Sequence, residues 1–396
     1  MIKGSLTVIA ISLLAVTAMC CESRAGSMAL QGKERWLTIA STKDKDTAIA
    51  IAGYYASERA RVVSTQSGWF AIVLGPYSEG SIEAIKKAHD GIGEVPKDAL
   101  LSRGDKYIDT VHEERPWDEQ RLLATYELKK PVQFSSGPFT FSVSMTGDED
   151  NPGPTTASAT RNGELVFSFT TPTDYSMFGS DAGLLKLDPQ TEGPQLVFTR
   201  YTGGAHCCTQ TWIATAARDA IGWSLIDAGA LDGGGFYYED ADGDGALEIM
   251  HVDNDFLYAF DSYAGSFAPI RVQQLRGNQL DDVSSRPEMA HLLKRDLARM
   301  EFEAKLDPGM WKSNGFLAGW VAAKQRLGQG DDAWQTVLEN LEQNSDFGPQ
   351  VCKTGKPVED CPYEDLERIP VAKALAQFLA ERDYGELPPM ARALLK

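Results

Sequence analysis

The chain has 396 residues, of which 43% are hydrophobic and 24% are charged, so it can form two or three domains with their own cores. This composition is that of an ordinary globular protein. The formal net charge of −18 repels phosphate backbones, which excludes nucleic acid as an expected partner and favours divalent cations.

Residues 1–25 have the pattern of an export signal. A lysine precedes an apolar run at residues 6–19, which is short for a bilayer span but typical of a signal-peptide core. Ser and Ala within residues 23–25 suit a cleavage site, so we expect a periplasmic chain beginning near Gly26. Acylation of Cys20 would instead give a lipoprotein, but Met19 is bulkier than the small residue such sites carry. No other apolar run is long enough to cross a membrane.

Residues 33–113 mix strand and helix patterns. Strands are predicted for RWLTIAS (35–41), RVVST (61–65) and GWFAIVLGPY (68–77), with a fourth near Leu100 or Tyr107. Helices are predicted for DKDTAIAIAGYYASERA (44–60) and SEGSIEAIKKAHD (78–90). The order β-α-β-β-α-β predicts an α+β sandwich in which two helices cover one face of an antiparallel sheet.

This segment resembles a SPOR domain, the peptidoglycan-binding module of bacterial envelope proteins. The resemblance lies in WLTIAS, the alanine-rich helix after it, and GWFAIVLGPYSEGSIEAI, in which an alternating strand runs into Gly75-Pro76-Tyr77. It covers about a fifth of the chain. What it implies is non-catalytic binding of glycan strands that lack stem peptides, on the open face of the sheet.

Alternation along the strands assigns side chains to the two faces of this sheet. The set expected to meet the helices is Leu37, Ile39, Phe70, Ile72 and Leu74. The set expected on the open face is Trp36, Thr38, Ala40, Trp69, Ala71 and Val73, in which only Thr38 is polar. Trp36, Thr38 and Trp69 are the candidate glycan-binding residues, because an indole plane suits the C–H face of a sugar ring. The alternative is that this face packs on the next domain.

Residues 118–280 have an all-β pattern, which predicts a sandwich or a propeller-like domain. Polar turns separate the predicted strands FTFSVSM, ELVFSFT, GLLKLD, GPQLVFTRY, TQTWIATA, GWSLID, ALEIMHV and FLYAF. TGDEDNPGPTTAS (146–158) is interpreted as a loop tip. This domain is where a partner protein of the cell envelope could bind.

The stretch EDADGDGALEI (239–249) predicts a structural calcium site. Calcium takes six to eight oxygen ligands, and alternate carboxylates on a tight loop can turn towards one point. The proposed ligands are the side chains of Asp240, Asp242, Asp244 and Glu248 and the carbonyl of Ala246. The loop runs into a strand, so it resembles the calcium loops of FG-GAP or VCBS-type β repeats, although those usually have Asp where Glu248 stands. ALEIMHV and FLYAF are expected to form a hairpin beyond it.

Cysteines suggest disulfides, because an even number remains after the export signal. We favour a bond between Cys352 and Cys361, which closes a short loop. Cys207 and Cys208 in GGAHCC could form a vicinal bridge, remain thiols, or bond elsewhere. A thiol nucleophile with His206 is possible, but it needs a base oriented across the fold and not merely adjacent in sequence.

Residues 285–396 are predicted to be helical, since Trp334, Val337 and Leu341 recur at helical spacing, as do Val371, Leu375 and Leu379. The whole pattern favours a non-catalytic, calcium-containing protein that binds peptidoglycan glycan strands. One alternative is a cell-wall hydrolase or thiol-dependent enzyme that uses His206 and Cys207. Another is a calcium-stabilised protein-interaction module.

Overall fold

The computed structural model describes residues 28–81, 95–116, 119–148, 150–172, 180–191, 193–217, 222–232, 234–343, 345, 347–382 and 384–396. The predicted export signal, with Cys20, lies outside the described residues. Most of the helix predicted at 78–90 also lies outside them. The described part is mostly β structure with a helical C-terminal region, which confirms the coarse prediction of a β-rich multidomain chain that ends in helices.

The first unit is a five-stranded antiparallel sheet with a helix on one face. Its elements are β1 (Glu34–Thr42), α1 (Lys45–Tyr54), β2 (Arg61–Thr65), β3 (Phe70–Ser78), β4 (Leu100–Ser102) and β5 (Tyr107–Glu113). The strand order is β4-β1-β3-β2-β5, so β3 lies between the two strands that α1 connects. Asp44 caps α1 by accepting a hydrogen bond from the backbone N–H of Thr47 at 2.8 Å. Both strands considered near Leu100 and Tyr107 are present.

The predicted alternation holds along most of this sheet. Leu37, Ile72 and Leu74 pack with α1, whereas Trp36 and Val73 lie on the other face. An irregularity in the pairing of β1 with β3, between Thr38 and Ala40, changes the parity after that point. Ala40 therefore packs with the helix-side core, and Ser41 replaces it opposite Ala71. The assignment of Ala40 to the open face is wrong.

Three antiparallel sheets follow in a stack. Their strands are β6 (Ala124–Thr125), β7 (Val132–Ser136), β8 (Phe139–Gly147), β9 (Pro152–Arg161), β10 (Glu164–Thr170), β11 (Asp181–Leu185), β12 (Gln195–Tyr201), β13 (Thr209–Ala216), β14 (Trp223–Leu231), β15 (Tyr237–Glu239), β16 (Glu248–Val252), β17 (Ile270–Arg276) and β18 (Gln279–Asp282). The strand orders are β10-β9-β8-β7, β14-β13-β12-β11-β6 and β15-β16-β17-β18.

The middle sheet of the stack is buried on both faces. Phe198 and Trp212 face the first sheet of the stack, where they pack with Phe141. Val197 and Ile213 face the last sheet, where they pack with residues of β16 and β17. This explains why β12 and β13 have continuous apolar runs without clear alternation.

Two predictions for this region are wrong. Residues 152–158 belong to β9, which pairs with both β8 and β10, so the predicted loop tip is mostly strand. FLYAF is not a strand, and β16 pairs with β15 and β17 instead. Asn254–Phe256 form a 3₁₀ turn, and Phe256 and Phe260 are buried in the core of the helical region. Tertiary packing therefore overrides the β propensity of these aromatic residues.

The C-terminal region contains α2 (Ala290–Leu306), α3 (Asn314–Arg326), α4 (Gly330–Asn340), α5 (Val371–Glu381) and α6 (Pro389–Ala393), with a small hairpin of β19 (Gln350–Cys352) and β20 (Leu366–Arg368). The disulfide between Cys352 and Cys361 is present, with a Cα–Cα distance of 5.7 Å, which confirms that pairing. Among the described helices, none combines the length and apolar character needed to cross a membrane.

Helix α2 joins the parts of the molecule. Its Phe302 is buried in the core of the first unit, and its Leu292 packs on the outer face of the last β sheet. Arg295 on the same helix contacts Glu239 at 3.0 Å and Asp46 of α1 at 3.6 Å. The N-terminal unit and the C-terminal helices therefore share a core although they are far apart in sequence.

Candidate functional site

A groove of about 560 Å³ lies on the face of the first sheet that is turned away from α1. It is lined by Thr38, Ser41, Thr65, Ser67, Trp69, Ala71, Leu100, Ser102, Asp105, Lys106 and Tyr107. The pairings of Thr38 with Leu100 and of Ser41 with Ala71 place these side chains on one face. One exposed indole therefore stands beside several hydroxyl groups.

Trp69 is the exposed aromatic residue of the groove. Its side chain is 40% exposed. Its backbone N–H donates to the hydroxyl of Thr65 at 3.1 Å, and the ammonium of Lys43 lies 5.5 Å from its ring. The hydroxyls of Thr38 and Tyr107 are 2.7 Å apart, which holds both side chains in place on the sheet. The groove is thus a largely preformed surface with a flat apolar wall and fixed polar groups.

Trp36, the second predicted aromatic contact, does not present an open ring. Only 4% of it is exposed, because Met28 and Leu30 pack over it. Its indole N–H donates to the carbonyl of Met28 at 3.2 Å, and the guanidinium of Arg61 lies 5.6 Å from its ring. The prediction of an exposed Trp36 is wrong, since a segment that precedes β1 covers that part of the face.

The groove also contains polar residues that the alternation pattern missed. Ser41 enters because of the irregularity in β1, and Ser102 enters because β4 extends the sheet next to β1. Thr65 is the last residue of β2, and Ser67 lies in the turn between β2 and β3. The hydroxyl-rich sequence STQSG immediately before Trp69 was the signal that could have identified the last two.

The predicted calcium loop connects β15 to β16. Carboxylate oxygens of Asp240, Asp242 and Asp244 all lie within 4.8 Å of one another, and the three side chains are exposed. Gly243 and Gly245 have positive φ values of 77° and 86°, which lets the loop turn tightly. Three of the predicted ligand side chains are therefore brought together.

Glu248 and Ala246 differ from that trio because both are buried. The carboxylate of Glu248 accepts hydrogen bonds from the backbone N–H of Ala241 at 2.8 Å and from Gln274 at 2.9 Å. Burial raises the pKa of Glu248, and the nearby carboxylates of the loop add to that shift. Both carboxylate oxygens of Glu248 accept protein hydrogen bonds, and the carboxylate oxygens that lie within 4.8 Å of one another are those of Asp240, Asp242 and Asp244.

His206 lies at the opposite end of β15 and β16 from the acidic loop. Its Nδ1 is 3.0 Å from the carboxylate of Asp232, and its Nε2 is 3.0 Å from the hydroxyl of Tyr258. Its ring stacks on Tyr263 with 3.8 Å between centroids. Cys207 and Cys208 are placed as a vicinal pair next to this histidine. Sequence alone did not reveal the partners of His206, which come from two distant loops.

Comparisons with known proteins identify relatives for much of the chain. Residues 293–383 match the family model described as the sll0997 C-terminal domain. The chain is 34% identical over 361 residues to the uncharacterized protein y4bJ of Sinorhizobium fredii, a match that covers 89% of this chain and 56% of that protein. It is 35% identical over 201 residues to sll0997 of Synechocystis, named a probable thylakoid lumen protein, which covers 50% of this chain and 59% of the relative.

The chain therefore spans less than two thirds of the length of each of these curated relatives. No solved structure matches it.

Proposed function

We propose that the chain is an exported, non-catalytic protein whose SPOR-like module at residues 33–113 binds glycan strands of peptidoglycan. The observation that carries the proposal is the groove on the free sheet face, where the exposed indole of Trp69 stands beside hydroxyl side chains. Sugar rings present C–H faces and hydroxyl edges, which match an aromatic wall and neighbouring hydroxyls. The strand order of this module, with β3 between β1 and β2, is that of the split βαβ arrangement predicted from the order of its elements.

Two observations support export. Cys352 and Cys361 form a disulfide, and such bonds persist in oxidising compartments. The Synechocystis relative is named a probable thylakoid lumen protein, a name that fits an exported protein. A periplasmic location follows for this chain if its N-terminal signal is used as its pattern predicts.

A structural calcium ion in the acidic loop is the second part of the proposal. Carboxylate oxygen is the ligand type that calcium prefers, and the clustered side chains of Asp240, Asp242 and Asp244 offer it at one point. The ion would offset the mutual repulsion of these groups and fix the turn between β15 and β16. Glu248 and the carbonyl of Ala246 remain the further proposed ligands, and the bond from the N–H of Ala241 to the carboxylate of Glu248 holds that side chain beside the loop.

The test is co-sedimentation of the full chain with purified sacculi. Wild type should pellet, and Trp69→Ala should pellet at least several-fold less. Tyr363→Ala is the matched control, because it removes an 87% exposed aromatic ring from the C-terminal region. If wild type stays in the supernatant, or if both substitutions change binding equally, the glycan-binding proposal fails. Release of reducing sugar or free peptide from the sacculi would favour the hydrolase alternative instead.

A further inference from the structure

The segment Met28–Leu30, here called the strap, crosses the same sheet face that contains the groove. The backbone N–H of Met28 donates to the carbonyl of Tyr107 at 3.1 Å, and that of Leu30 donates to the carbonyl of Arg103 at 2.7 Å. The indole of Trp36 donates to the carbonyl of Met28. The strap is thus seated along the connection between β4 and β5.

The position of Gly104 fits the strap closely. A Cβ atom on Gly104 would lie 2.7 Å from the carbonyl oxygen of Met28 and 2.9 Å from the ring of Trp36. Its φ of 79° also favours glycine. The strap and the indole of Trp36 therefore pack so closely against Gly104 that a side chain at this position would collide with both.

The surface beneath the strap continues into the groove. Met28 and Leu30 pack on Trp36, Val63, Ala71, Val73 and Tyr107. Ala71 and Tyr107 also line the groove, so the covered patch and the open groove share two side chains. Without the strap, the aromatic surface would run from Trp69 across Tyr107 to Trp36.

The side chains of Met28 and Leu30 bury less apolar surface than the core residues of the sheet. Met28 and Leu30 are both only partly buried, in contrast to the fully buried helix-side core of the same sheet. Segments with little buried apolar surface open at a small free-energy cost compared with global unfolding. A long polymer that continued past the groove could therefore replace the strap.

We propose that the strap competes with glycan for this face, so that its release lengthens the binding surface to include Trp36. This inference rests on the proposed function, and it adds that the affinity for glycan depends on the length of the glycan strand. A single disaccharide, bound beside Trp69, is unaffected by the strap. A long glycan strand gains the second aromatic platform only when the strap leaves.

The experiment uses the full chain carrying both Met28→Gly and Leu30→Gly. Its control carries Gln31→Gly and Lys33→Gly, which add the same backbone freedom at exposed positions. Affinity is measured for long glycan strands freed of stem peptides and for a single disaccharide. The strap variant should bind long strands about threefold to tenfold more tightly, as expected for one added aromatic contact, with an unchanged disaccharide affinity.

Acrylamide quenching monitors release of the strap. The variant should show an added accessible tryptophan signal that disappears when Trp36→Phe is introduced. If quenching rises but long strands bind no more tightly, the competition proposal is overturned. It also fails if quenching does not rise, because the two side chains then do not cover Trp36. Leu30→Gly alone repeats the comparison if the double substitution lowers the melting temperature.

The failure of the proposed function gives a different result. If neither wild type nor the strap variant binds any glycan, both proposals fall. If only the strap variant binds, competition by the strap is supported and glycan binding by the strap-closed form is refuted.

Discussion

Replacing Phe302 by Ala tests the contact that joins the two ends of the chain. Phe302 lies on α2 and is 4% exposed, within a core made by the N-terminal unit. Its ring meets Tyr54 edge-on with 5.7 Å between centroids, and Tyr55 similarly at 6.0 Å. Truncating a buried phenylalanine to alanine costs about 3–5 kcal/mol, which includes lost apolar burial and the cavity that remains.

The assay is urea unfolding followed by tryptophan fluorescence, with amide hydrogen exchange to locate the effect. We expect Phe302→Ala to lower the unfolding free energy by about 3–5 kcal/mol and to speed exchange in α1 and β1. Met300→Ala is the matched control, because Met300 is also buried on α2 but packs in the core of the C-terminal helices. That substitution should destabilise the helices and leave exchange in α1 nearly unchanged.

The reasoning would be refuted by a loss below about 1 kcal/mol for Phe302→Ala, since a side chain in a shared core cannot be that dispensable. It would also be refuted if both substitutions changed exchange in the same segments. Because the groove lies on the opposite face of the sheet, glycan binding by the folded Phe302→Ala variant should stay close to wild type.

Ile72→Ala should lower the unfolding free energy by about 2–5 kcal/mol, because Ile72 is fully buried. Trp69→Ala should reduce sacculus binding and lower the unfolding free energy by less than Ile72→Ala does. If urea unfolding shows equal losses for the two variants, Trp69 does not have the exposed role proposed for it. Calcium should raise the melting temperature of wild type but not of a variant with Asp242→Ala and Asp244→Ala, and a melting curve insensitive to chelator would rule out the ion. Burial lowers the pKa of His251 below 6.5, so the unfolded chain binds more protons and stability should fall as pH drops through 6.5. The urea midpoint of wild type should therefore be lower below pH 6.5 than above it, and this difference should be smaller in the His251→Gln variant. If wild type and the variant show the same difference, other groups cause the pH dependence.

Local patterns were sufficient for many elements. RVVST and TQTWIATA form the predicted strands β2 and β13 with matching ends, because alternating or β-branched residues bounded by turns favour an extended chain. The helices predicted around Trp334 and Leu375 are present as α4 and α5, since their apolar residues recur at helical spacing. The pairing of Cys352 with Cys361 followed from the short loop that this bond closes.

Errors arose where a distant segment decides what a residue contacts. Nothing near Phe256 and Phe260 indicates that helices α3 and α5 will cover them, so their β propensity was misleading. β9 has few apolar residues and is held by pairing with both neighbours in its sheet. The asymmetry between Trp36 and Trp69 has another origin, because the strap that covers Trp36 lies near it in the sequence. Alternation along a strand assigns faces but does not show that a preceding segment folds back over one of them.

The sequence by itself determined the periodicities, the acidic loop, the cysteine pairing at the C-terminal hairpin and the order of β-rich and helical regions, because each depends on residues close together in the chain. The tertiary structure decided which faces are covered. It placed α2 against the N-terminal unit, buried the middle β sheet on both sides, and left Trp69 exposed while covering Trp36. Burial depends on which surfaces meet in space, and Phe302 lies in the core of the N-terminal unit although most of the chain separates it from β1.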